Sequence, residues 1–457
     1  MPLLSLKQNC HNCVCVNKRA KPARCGAICE AVAALIDYSF LLSIGFAGAL
    51  LFSTAMQLWL NARQARHVHA HSTAVPDAFQ ATVSLADHQK AAAYTLAKLR
   101  LGNWQIVFSA AILLAWTLLG GLSLLNAWLL DTMGAGMTQQ LALLVGVMLI
   151  GGVIDLPLSW WVTFKLEARF GFNNSTLKLW LSDLVKGAAM GLALMLPLAW
   201  AALSLMQATG AMWWLWVWLL WVGFNTVIMV VYPKWIAPRF NKFEPLTRED
   251  VKAEAMQLIE RCGFEAEGLF VMDGSKRSAH ANAYFTGLGK SKRVVFFDTL
   301  LNKLSVEEVK AVLAHELGHF HHKHIRQRLV MVFAMSAVAL AVLSWLGTQV
   351  WFFTGLGVLP NLEGANHALA LVLFMFAAPV VGFFVGPVMA RGSRANEFEA
   401  DRYATTHASA DALASALTKL YTDNASTLTP DPLYSRFYAS HPPAIERLAH
   451  IQQQATA

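Results

Sequence analysis

Seven long apolar runs constrain this chain more than any single motif does. They cover residues 35–60, 105–130, 141–164, 184–206, 212–232, 329–353 and 369–389. A helix crosses a bilayer core about 30 Å thick with roughly 20 apolar residues, satisfying its backbone polar groups within the segment. All seven runs reach that length. Composition agrees: 56% of residues are hydrophobic and only 14% are charged, against about 25% charged in soluble proteins. The first run is too long for the core of a signal peptide and has no small-x-small cleavage site behind it, so it reads as a membrane helix. The expected fold class is an all-α polytopic membrane protein, embedded in a lipid bilayer and without internal repeats.

Lysine and arginine placement orients the spans. The loops after spans one, three and five hold Arg63, Arg66, Lys90, Lys98 and Arg100, then Lys165, Arg169 and Lys178, then many between Lys234 and Arg328. The loops after spans two, four and six contain neither residue type. The basic loops therefore face the cytoplasm, together with the C-terminus. The net charge of +8 suits anionic headgroups. Nucleic-acid binding is not expected, since no basic run is interleaved with aromatics. Residues 1–34 break the pattern. They carry Cys10, Cys13, Cys15, Cys25 and Cys29 plus five basic residues on the wrong side, and the cysteine spacing matches no zinc module. They are expected to be a disordered tail or the product of an upstream start. The remaining divisions are a five-helix membrane region (35–232), a polar region (233–327), a membrane hairpin (328–390) and a polar C-terminal region (391–457).

The polar region contains His315-Glu316-Leu317-Gly318-His319, an H-E-x-x-H motif. Histidines four apart stand one turn above each other on one helix face. Two such imidazoles can hold one zinc ion, and Glu316 can take a proton from a water that the ion polarises. Ser305 and Glu308 have the spacing of a capping box, and Val309, Val312, Leu313, Leu317 and Phe320 recur at helical spacing behind it.

A catalytic zinc takes about three protein ligands and keeps one position open. Glu397 is the best third candidate, because two membrane crossings after His319 return the chain to the same side. Asp401, one turn on, can accept the second N–H of a ligand histidine. Glu399 points elsewhere on that helix. The residues alone leave a competing account open, in which Arg394, Glu397 and Asp401 form an ordinary charged face. His321, His322 and His324 are expected on a polar surface rather than on metal. Asp155, inside the third span, is either functional or satisfied locally beside Pro157. Cys262 reads as a small core residue.

Several blocks beyond the motif resemble the type I CAAX prenyl proteases, integral-membrane zinc endopeptidases. They are residues 164–173 (FKLEARFGFN), 236–243 (IAPRFNKF), 273–285 (DGSKRSAHANAYF), 394–401 (RANEFEAD) and the His441-Pro442-Pro443 triplet. The resemblance covers the chain from about residue 37 onward. It implies seven helices around an enclosed chamber, with a zincin-like catalytic region containing a small β element at the cytoplasmic end. It also implies one zinc per chain on His315, His319 and Glu397, with Glu316 as general base and Asp401 behind the ligands. Asn282 would hold substrate backbone, and His441 would act on the scissile carbonyl or oxyanion. The expected substrate is a peptide or protein, with a CAAX tail prenylated in eukaryotic members, and the expected state is a monomer. A membrane quality-control metalloprotease is the alternative, although such enzymes have fewer spans. A non-enzymatic zinc-bearing membrane protein is the third reading, disfavoured because a structural zinc needs no base such as Glu316.

Overall fold

The computed structural model describes residues 22–265, 267–286, 293–361 and 364–456. Among them, seven helices are long and apolar enough to cross a membrane, as the runs predict. They belong to α1 (Pro22–Ala70), α2 (Leu85–Trp116), α4 (Met137–Trp161), α5 (Leu177–Ala208), α6 (Trp213–Val231), α9 (His324–Leu346) and α11 (His367–His407). Residues 1–21, with Cys10, Cys13 and Cys15, lie outside the described residues. The expected boundary at residue 34 falls inside the continuous helix α1.

Hydropathy misplaced several ends. The polar stretch 61–103 is mostly helical, because α1 and α2 project past the apolar zone; Ser84 caps α2 by accepting from the Asp87 N–H. The expected second span is two helices. α2 stops at Thr117, and Gly120, at φ +84°, launches the short α3 (Gly121–Met133). The sixth run likewise divides into α9 and α10 (Val350–Gly355) around Gly347. Conversely, the expected boundary at residue 390 is no break. α11 carries the seventh span and residues 394–401 on one 41-residue helix.

Two cores lie at opposite ends of the molecule. One gathers Leu122, Leu129, Leu143, Leu203, Met206, Trp213, Phe352, Leu356 and Leu369, around the turns after spans two, four and six. The other packs the polar regions through Val251, Leu258, Leu269, Val294, Phe296, Leu313, Leu317, Ala404 and Leu413. Between them the helices bury little: 6% of the most apolar window in the second, third, fifth and sixth spans. A solid bundle packs its centre to crystal-like density. These helices are held together mainly at their ends, and their middles face outward or one another with little packing.

The β element is a four-stranded sheet in the order β1 (Phe243–Pro245), β2 (Gly268–Met272), β4 (Arg293–Phe297), β3 (Ala283–Thr286). β2 and β4 are parallel and the outer pairs antiparallel, so β3 is an edge strand. α7 (Glu249–Arg261), α8 (Val306–His321), α12 (Ala410–Asp423) and, after the short α13 (Pro432–Tyr438), α14 (Ala444–Thr456) pack around it. The predicted capping box starts α8: Ser305 Oγ accepts from the Glu308 N–H, and the Glu308 carboxylate accepts from the Ser305 N–H at 2.7 Å. Cys262 packs against this core.

Candidate metal centre and active site

α8 and α11 approach closely because Gly318 has no side chain. A Cβ there would lie 2.9 Å from Ala400 Cα and 3.1 Å from Ala400 O, closer than packed atoms tolerate. The approach brings His315 and His319 of α8 opposite Glu397 of α11. His315 Nε2 lies 3.6 Å from Glu397 Oε2, and His319 Nε2 lies 3.4 Å from Glu397 Oε1. One donor atom from each of the three falls within 4.8 Å of the others. The two imidazole–carboxylate separations exceed the usual hydrogen-bond length of about 2.7–3.2 Å. Donors each about 2.1 Å from one tetrahedral ion stand about 3.4 Å apart. Glu397 is buried, and its Oε2 has no hydrogen-bond partner, a costly state without a ligand to satisfy it. Two imidazoles and a carboxylate are also the donor set of open catalytic metal sites. The residues therefore fit a divalent metal ion.

Behind this trio lie two further layers. The His315 Nδ1–H donates to Asp401 Oδ1 at 2.8 Å, the contact expected from the sequence. Arg447 of α14 clamps the same carboxylate through Nε at 2.8 Å and Nη2 at 2.5 Å, and its Nη1 lies 3.5 Å from Glu397 Oε2. Burial opposes the Arg447 charge, but the Asp401 carboxylate outweighs it and raises the guanidinium pKa. Sequence reasoning missed Arg447, since nothing local marks it for burial. The surface position expected for His324 is overturned, although it stands outside the trio that could hold a metal ion. It is 5% exposed, and its Nδ1 lies 2.9 Å from His319 Nδ1. Glu399 does point away from the trio, yet it reaches His324 Nε2 at 2.9 Å. His321 is exposed and His322 half-buried, as expected.

A cavity of about 320 Å³ opens beside the trio, lined by Asn282, His315, Glu316, Glu397 and His441 among others. Burial raises the Glu316 carboxyl pKa, against the pull of the His315 and His319 imidazoles. His441 stands at the rim, 62% exposed, with Nε2 at 3.4 Å from Glu397 Oε1 and Nδ1 at 3.0 Å from Ser440 Oγ. Asn282 leads into the edge strand β3. Asn424, after α12, fixes that approach: its Oδ1 accepts from the Ala281 N–H at 3.0 Å, and its Nδ2 donates to the Ala281 carbonyl at 3.3 Å. Leu300, Val312, Leu413 and Leu417 form an apolar wall. Asp155 is exposed on α4 and does not line this cavity.

Comparison with known proteins gives the same picture. A family described as CAAX prenyl protease N-terminal, five membrane helices, matches residues 64–242, and Peptidase family M48 matches residues 245–455. A CAAX prenyl protease 1 homolog of Oryza sativa is 35% identical, covering 69% of this chain and 73% of its own. CAAX prenyl protease 1 of Saccharomyces cerevisiae is 34% identical, covering 72% of this chain and 76% of its own. The human homolog is 29% identical over 89% of this chain. The crystal structure of S. mikatae Ste24p superposes with a TM-score of 0.83 at 28% identity, covering 90% of this chain and 98% of that one. Matches spanning both halves of the sequence, together with the shared fold, show that the chain belongs to the CAAX prenyl protease group of the M48 metallopeptidases, polytopic membrane proteases of CAAX type.

Proposed function

We propose that the chain is a zinc endopeptidase that cuts near the C-terminus of prenylated CAAX-type substrates. The observation that carries this is the buried Glu397 carboxylate facing two imidazoles beside Glu316, with its Oε2 lacking a hydrogen bond. His315, His319 and Glu397 hold the ion, one per chain. Zinc, when bound, supplies a Lewis acid that polarises the scissile carbonyl and acidifies water. Glu316 takes the proton from the attacking water and delivers it to the leaving amine. Burial raises the Glu316 pKa above the ordinary carboxylate value, which makes it a stronger base than an exposed carboxylate. The oxyanion meets donors from His441 and Asn282.

The substrate backbone lies along edge strand β3, whose outer side carries no further strand among the described residues, as in strand-addition recognition. The leucine-rich cavity wall suits the aliphatic residues of a CAAX tail, and the expected chamber suits its lipid. Basic loops support a cytoplasmic position for the site. The test is cleavage of a CAAX peptide, with and without a farnesyl group, by detergent-purified protein. The expected result is zinc-dependent cleavage, faster for the lipidated peptide. Equal rates would remove the prenyl specificity, and no cleavage of either peptide by zinc-loaded protein would contradict the proposal.

A further inference from the structure

The two histidines of the motif are braced differently. His315 hands its Nδ1–H to a buried carboxylate directly. His319 faces a second imidazole instead, His324, with 2.9 Å between the two Nδ1 atoms. Two imidazole nitrogens at that distance share a single proton, and either ring can carry it. The other end of His324 settles the matter. Its Nε2 lies 2.9 Å from Glu399 Oε2, and an ionised carboxylate only accepts. The His324 proton therefore sits on Nε2, leaving Nδ1 as an acceptor. His319 must then donate from Nδ1, which leaves the lone pair of its Nε2 directed toward Glu397 and the metal position.

The backbone supports this arrangement. His324 is five residues from His319, a spacing that one helix does not bring face to face. The contact exists because the chain turns between α8 and α9 at Lys323, which adopts φ +60°. That left-handed conformation is unfavourable for a residue with a side chain, and here it folds His324 back beneath His319. α11 completes the set: Glu397 and Glu399, two apart, face different sides of the helix. One meets the metal position and the other meets His324.

We propose that His324 and Glu399 are positioning residues that fix the tautomer and ring orientation of His319 for metal binding. The proposal rests on His319 being a ligand. Removal of such outer partners lowers metal affinity about 10–100-fold.

The test measures zinc rather than turnover. Purified, zinc-loaded protein is mixed with a chromogenic chelator, and the rate of zinc release is followed by absorbance. His324→Leu should release zinc at least 10-fold faster than wild type. His324→Gln should restore near-wild-type release, because its amide oxygen accepts from His319 while its NH₂ donates to Glu399. Glu399→Leu alters a half-exposed side chain, so it reports on the relay even if His324→Leu fails to fold; it should also release zinc faster. Wild-type release from a folded His324→Leu or from Glu399→Leu would overturn the relay. His315→Ala and Glu397→Ala accompany them. If these also keep zinc, the ligand assignment fails, and with it the basis of the relay. If they lose zinc while the outer variants do not, the relay alone is wrong.

Discussion

Gly318 shows how much one missing side chain decides. The motif permits any residue there, but this structure needs glycine because Ala400 backbone occupies the space a Cβ would fill. Gly318→Ala should push α8 from α11, destabilise the protein by about 1–3 kcal/mol as overpacking does, and weaken metal binding; calorimetry and metal analysis would check both. Glu308 gives a pH-dependent counterpart. Burial raises its pKa, but Lys419 at 2.8 Å, Ser415 at 2.6 Å and the Ser305 N–H outweigh it, so the net shift is downward. A carboxylate whose folded pKa is depressed stabilises the fold fully above its ordinary value, about 4.3, and loses that contribution as pH falls through the folded value. Glu308→Gln should therefore melt earlier than wild type at neutral pH, and the gap should close below about pH 4. A gap that is constant with pH would count against the account.

At the scale of elements, α11 is both membrane span and ligand carrier, so one continuous helix joins the bilayer anchor to Glu397. The end of α12 has a parallel task, setting the register of the strand beside the cavity through Asn424. Ala425, next in the chain, takes φ +46° while buried, a strained position that holds Asn424 in place. Asn424→Ala should raise KM for peptide several-fold while zinc content stays constant and kcat changes less, as steady-state kinetics would show. What the sequence revealed follows the same scale. The i, i+4 histidines, the capping box and the need for a third ligand are local or chemical, and all were legible. The His319–His324 contact was not, because it depends on a left-handed turn at a lysine, which no periodicity announces. The false continuity of the second and sixth runs has a related cause: hydropathy does not register a helix broken at Gly120 or Gly347 inside an apolar stretch.

For the whole molecule, the two cores tie the spans together and set the metal site in the polar regions beside the membrane helices. The seven spans place the C-terminus with the basic loops. A tag after residue 457 should be removed by protease in inside-out vesicles and protected in right-side-out ones; the reverse pattern would invert the orientation. The central claim is that this metal site is a peptidase site whose base is Glu316. The most direct measurement compares wild type with Glu316→Gln for zinc content and peptide turnover in the same preparations. Glutamine keeps the size and reach of the side chain and removes its basicity. The account predicts unchanged zinc and a loss of turnover of at least about 100-fold. Turnover at the wild-type rate with zinc in place would contradict it.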